Sequence, residues 1–161
     1  MLEPEWRVAA SELRCELERL ARLGEYYVVI STMGAREPVR NCYVQVIFDE
    51  DGDAYAEAAS NLYLRDHPLS PSEVATLLSL GWSPPGTLGV GDRPGRAGQP
   101  DERQQTPHPP NFHRNFARHE GQRIIAETLL ATLNLVYGIR HPAEFTTSTE
   151  PSQRRRERDQ L

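Results

Sequence analysis

The feature that most constrains this chain is a change of hydrophobic period at Gly24. Beyond it, three segments rich in β-branched and aromatic residues follow closely: "YYVVIST" (26–32), "NCYVQVIFDE" (41–50) and "AYAEAASNLYL" (54–64). The connectors "MGAREPVR" and "DEDGD" are too short for a crossover helix, so the segments predict an antiparallel meander. Alternation assigns faces. Cys42, Val44, Val46 and Phe48 share one side of the second strand, and Tyr43, Gln45 and Ile47 the other. In the third, Ala56, Ala58 and Ser60 form a small-residue face that lets a helix approach, while Tyr55, Glu57 and Asn61 point away.

Before Gly24 the period is helical. Trp6, Ala10, Leu13, Leu17 and Leu20 recur at steps of three and four, with charged residues between them. This predicts an amphipathic helix over 4–23 facing the core. The spacing also resembles heptads and would suit a dimer seam, but it is too short for a stand-alone coiled coil.

"LSPSEVATLLSLGWSPP" (69–85) writes out both ends of a short helix. Ser70 and Glu73 form a capping box, and Pro71 takes the first helical position, where a missing N–H costs nothing. Gly81 fits the left-handed position that ends a helix, and Trp82 lands where it can fold back on the last turn. Pro84 and Pro85 prevent continuation. Trp82 is therefore expected to anchor this helix to the sheet.

Residues 86–110 are crowded with Gly, Pro, Gln and charge and are expected to be a flexible insert. "NFHRNF" restarts hydrophobicity at 111–116. A long helix is predicted from about Arg118 to Tyr137, with Ile124, Ile125, Leu129, Leu130, Leu133, Val136 and Tyr137 on its apolar face and Gly138 as its stop. The single domain is expected to end at 145, with 146–161 a disordered polar tail. The fold class is α+β: a meander with an N-terminal helix, a short capped helix and a long C-terminal helix.

Composition removes several function classes. All 18 basic residues are arginine, so Schiff-base, Walker and general-base lysines are excluded. Acids number 14 against 7 arginines up to Trp82, which disfavours a nucleic-acid binder. The run "RRRER" (154–158) reads as a solvated tail. Cys15 and Cys42 have no CxxC spacing and are expected to be buried and reduced. With no apolar leader and no membrane-length apolar run, a cytoplasmic protein is expected.

Candidate chemistry is thin. "DEDGD" places Asp49, Asp51 and Asp53 at the first three calcium-loop positions, but Gly52 is two residues early for that loop and Ser60 stands where a bidentate Glu belongs. "GTLGVG" lacks the Lys-Ser/Thr end of a phosphate loop, and no G-x-S-x-G occurs. His119-Glu120 opens an HExxH pattern, but residue 123 is arginine, and His108, His113 and His141 have no matched ligand spacing. No metal, cofactor or catalytic residue is expected. A metal-dependent enzyme using His119 and Glu120 is the weakest alternative.

The order of elements, the acidic turn within "YVQVIFDEDGDAYAEAASNLYL" (43–64), the "LGW-x-PP" ending, "NF" at 111–112 and "TLLATLNLVYGIRHPAEF" (128–145) together resemble the fold of type III secretion chaperones and YbjN-type proteins. They are most similar to the actinobacterial TY-Chap group of peptide-binding, chaperone-like domains. The resemblance spans about 5–145. It implies a homodimer that holds an extended client segment without nucleotide hydrolysis. The secretion chaperones' late strands have no clear counterpart here, and the resemblance carries no binding residues over. From the alternation alone, the client-binding face is expected at Tyr27, Val29, Tyr43, Gln45, Ile47 and Tyr55, unless a helix covers that side as core. An adaptor or immunity-type protein clasping one folded partner is the other reading.

Overall fold

The computed structural model describes residues 3–24, 26–32, 41–49, 51–64, 66–86 and 109–160. Helix α1 (Pro4–Leu23) has proline in its first turn and ends at Gly24, whose φ of 63° glycine alone adopts readily. Its buried residues are Trp6, Leu13, Leu17 and Leu20. The stripe enters the core and packs α1 against the later helix α3 (Gly121–Ala131).

Strands β1 (Tyr26–Ser31), β2 (Tyr43–Phe48) and β3 (Ala54–Ala58) form the expected antiparallel meander. The acidic segment between β2 and β3 is a hairpin turn. The Asp49 carboxylate accepts from the backbone N–H groups of Asp51 and Asp53 at 2.9 and 3.0 Å, and Gly52 sits at φ 84°. This is an Asx-type turn, in which a side chain takes the place of ladder partners.

The sheet then exceeds the expectation. Two further strands, β4 (Phe112–Phe116) and β5 (Thr146–Pro151), extend it to five, in the order β4-β3-β2-β1-β5, every neighbour antiparallel. Both lie late in the chain, where no clear strand was expected.

The disordered-tail reading of 146–161 is likewise corrected. Residues 146–151 pair with β1 along its whole length, and α4 (Gln153–Arg158) follows, its first turn capped by Ser152. "TTSTEP" shows no apolar alternation because an edge strand exposed on both faces needs none. Backbone pairing and the β-branched threonines suffice. The basic run is folded as well: the Arg155 guanidinium lies 4.6 Å over the Tyr26 ring, and Arg156 approaches Glu150 at 4.0 Å. The folded part thus passes the boundary expected at 145. Of the insert, Gly86 donates to the Pro109 carbonyl at 2.9 Å; residues 87–108, expected to be flexible, lie outside the described residues.

Helix α2 (Pro71–Ser79) carries the predicted capping box, Ser70 Oγ accepting from Glu73 N and Glu73 Oε2 from Ser70 N. At its end Trp82 N donates to the Leu77 carbonyl and Gly81 N to that of Leu78, a Schellman closure with Gly81 at φ 89°. Arg114 of β4 donates to the Leu80 carbonyl at 2.5 Å, placing a cation at the negative end of α2. The positive φ favours glycine at 81, and a Cβ there would lie 2.8 Å from the Arg114 guanidinium, which would have to shift.

The long C-terminal helix runs from Arg118 to Val136 as a 3-10 turn (Arg118–Glu120), α3, and a π-turn (Thr132–Val136). The π-turn begins where the Trp82 indole N–H donates to Thr132 Oγ at 2.9 Å while that hydroxyl donates back to Thr128 O at 2.8 Å. Cys42 is buried as expected. Cys15 is exposed on α1 instead, because it falls between the apolar positions of the stripe.

Candidate functional site

The core lies on one side of the sheet. Val28, Ile30, Val44, Val46, Phe48, Ala54, Ala56 and Ala58 join the buried residues of α1, α2 and α3 in one apolar cluster. The alanines of β3 have the small-residue role expected of them. The other side collects all six residues predicted for a binding face, and the register sets them in rows. Glu150, Tyr27, Ile47, Tyr55 and Asn115 form one row; Ser148, Val29, Gln45, Glu57 and His113 the next; Thr146, Ser31 and Tyr43 a third. Ile47 and Tyr55 are buried yet stand outside the core cluster. Tyr27, Val29, Tyr43 and Gln45 are half-buried.

Other residues on this side, not among the six, give it a polar centre. Glu57, only 9% exposed, sits at its centre. Gln45 Nε2 donates to Glu57 Oε2 at 2.6 Å and Tyr55 Oη to Oε1 at 3.3 Å. His113, fully buried, stacks on Tyr55 with centroids 6.3 Å apart. Asn111 joins the rim: its Nδ2 donates to Tyr43 Oη at 2.8 Å, while its Oδ1 accepts from Ser60 N. The half-exposed Tyr63 meets Tyr43 edge-on at 6.3 Å. Glu57 was legible, two residues from Tyr55 in an alternating strand. His113 and Asn111 were not, because they arrive through β4, more than 20 positions beyond α2 and with an arginine interrupting its alternation.

Burial makes the acids of this face weaker. Desolvation pushes the Tyr43 hydroxyl up to about 12, against the opposing bond from Asn111, and raises Tyr27 as well. Both phenols stay protonated at physiological pH. Desolvation also raises the Glu57 carboxyl, opposed by hydrogen bonds from Gln45, Tyr55 and Asn111 and by His113.

A raised carboxyl means that the folded chain holds its proton to higher pH than the unfolded chain does. Stability is therefore lost as pH rises from the ordinary carboxylate range through the folded value, and stays lower above it. Glu57→Gln keeps a neutral group of the same shape. The variant is expected to melt above the wild type at neutral pH, with the gap closing near about pH 4. A gap that is constant with pH, or one that opens on acidification, would refute this assignment.

The other candidates are accounted for structurally. Glu120 accepts from Ala117 N at 2.6 Å and pairs with Arg114 at 3.4 Å, so the carboxylate of the HExx fragment caps a helix start. His119 beside it is exposed. His141 Nδ1 accepts from Ala143 N at 2.9 Å, and its Nε2 lies 2.9 Å from Glu5. Among the described residues no helix is long and apolar enough to cross a membrane.

An antiparallel sheet backed by helices on one side, with aromatic and amide side chains set out in rows on the other, has the architecture of a sheet-based binding domain. The chain belongs to the TY-Chap3 family, described as T3SS (YopN, CesT) and YbjN peptide-binding chaperone 3, whose model matches residues 2–151. The match runs through β5, the strand sequence reading had left in the tail. No curated protein and no solved structure matches the chain.

Proposed function

We propose that this chain is a non-catalytic, chaperone-like domain that holds an extended segment of a partner protein against the side of its sheet opposite the helix-packed core. The observation that supports this is the row arrangement of Tyr27, Val29, Tyr43, Gln45, Ile47 and Tyr55 opposite the helix-packed core. Aromatic rings supply contact area at low entropic cost, and the amide of Gln45 with the hydroxyls of Tyr27 and Tyr43 can meet a client's backbone. Family membership supports a peptide or protein client.

The test uses the half-buried residues of β1, since Ile47 is too buried to alter without risk to the fold. The tagged chain is crosslinked in its native host, the captured protein is identified, and its binding is measured both native and denatured. Tyr27→Ser with Val29→Ser is expected to weaken binding of the denatured form by at least about tenfold, or ~1.4 kcal/mol, with the melting transition retained. Binding of the native form alone would favour an adaptor clasping a folded partner. Binding unchanged by the double variant would move the surface off this face.

A further inference from the structure

Resting on the sheet-face reading, the centre of that face says which side chain a client brings. Glu57 is the one carboxylate in the middle rows and is nearly removed from water. Its described partners are three neutral donors, Gln45, Tyr55 and Asn111, and no arginine pairs with it among the described residues. The basic side chain that acts on it is His113, whose Nδ1 faces the Asn111 carbonyl at 3.4 Å. The phenols of Tyr27 and Tyr43 stand in its field, and both remain neutral. A carboxylate offers about four acceptor positions, more than these donors fill.

A buried carboxylate held by neutral donors is costly unless a cation completes it. Among the described residues, arginines are engaged elsewhere: Arg114 on the end of α2, Arg155 on Tyr26, and Arg123 on Glu127. We infer that the client segment carries an arginine or lysine whose cationic head is received by Glu57.

The rows extend the inference to spacing. Tyr27, Ile47 and Tyr55 lie two residues along the strands from the Glu57 row, and Tyr43 lies two residues along on the other side. An extended client running with the strands presents same-face side chains at the same repeat. The recognised pattern is therefore a basic residue flanked, two positions before and after, by apolar or aromatic residues.

The probes are short synthetic peptides of that pattern, identical except at the centre: arginine, its neutral isostere citrulline, or norleucine. The wild-type chain is expected to bind the arginine peptide about tenfold tighter than either neutral one. Glu57→Gln is expected to lose that preference while keeping its affinity for the norleucine peptide. Equal binding of all three by the wild type overturns the inference and leaves the sheet-face reading standing. A preference that survives in Glu57→Gln places the cation elsewhere and also overturns it. Failure of every peptide to bind removes the sheet-face reading and this inference together. The citrulline comparison needs no variant, so the outcome does not depend on how Glu57→Gln folds.

Discussion

Trp82→Ala is expected to cost about 3–5 kcal/mol and to lower the melting temperature by roughly 10–15 °C. The indole is 3% exposed, so truncation leaves a cavity where α2 meets the C-terminal helix. It also removes two things the indole supplies: packing in the same cluster as Leu77, and a hydrogen bond to the buried Thr132 hydroxyl; the Schellman bond to Leu77 is a backbone one and remains. Thr132 keeps its bond to Thr128 but loses the donor that holds the π-turn in place. Trp82→Phe retains most of the volume and loses mainly the hydrogen bond, for about 1–2 kcal/mol. Denaturant titrations of the two variants separate the packing term from the polar one. An alanine variant within about 1 kcal/mol of wild type would show that α2 is pinned by other contacts.

Ending the chain after Phe145 is expected to do comparable damage by another route. That truncation removes β5 and α4, which look expendable because β5 is polar and exposed up to its last residue, Pro151. What it exposes is β1. "YYVVIS" would become an edge with unpaired backbone groups beside the fully buried Val28 and Ile30, a template for pairing with a second chain. The Thr149–Glu16 hydrogen bond to α1 and the Arg155–Tyr26 contact go with it. The truncated chain is expected to melt several degrees lower and to aggregate with rising concentration, seen by light scattering alongside thermal melts. A monodisperse truncation with an unchanged melt would mean that β1 does not need its outer neighbour.

These two sites mark where sequence reading succeeded and where it could not. The ends of α2 were legible because what they need is local, a capping box and a left-handed glycine with Trp82 one residue later; the anchor itself reaches Thr132 of the C-terminal helix rather than the sheet that was expected. The same holds for α1, whose stripe lies within one helix, and for the meander, whose alternation and short turns leave one arrangement. Strand β5 was illegible because "TTSTEP" has no apolar period to read. Its structure comes from pairing with residues more than a hundred positions away. Strand β4 was obscured in the same way, since Arg114 stands on its core-side row and makes sense only once the Leu80 carbonyl is opposite it.

The candidate face divides similarly. Alternation alone placed Tyr27, Val29, Tyr43, Gln45, Ile47 and Tyr55 on one side, because a strand's period of two follows from backbone geometry. Which side the helices would take is set by packing between distant elements, and the small alanines of β3 were the only hint. The polar centre formed by Glu57, His113 and Asn111 exists only after β4 docks on β3 and Asn111 bonds the loop at Ser60. Periodicity and capping therefore determined the elements and the membership of each face, since both are local properties of the chain. Tertiary structure decided the fifth strand, the side on which the helices pack and the buried carboxylate on the opposite side, since those depend on backbone pairing and desolvation between residues far apart in sequence.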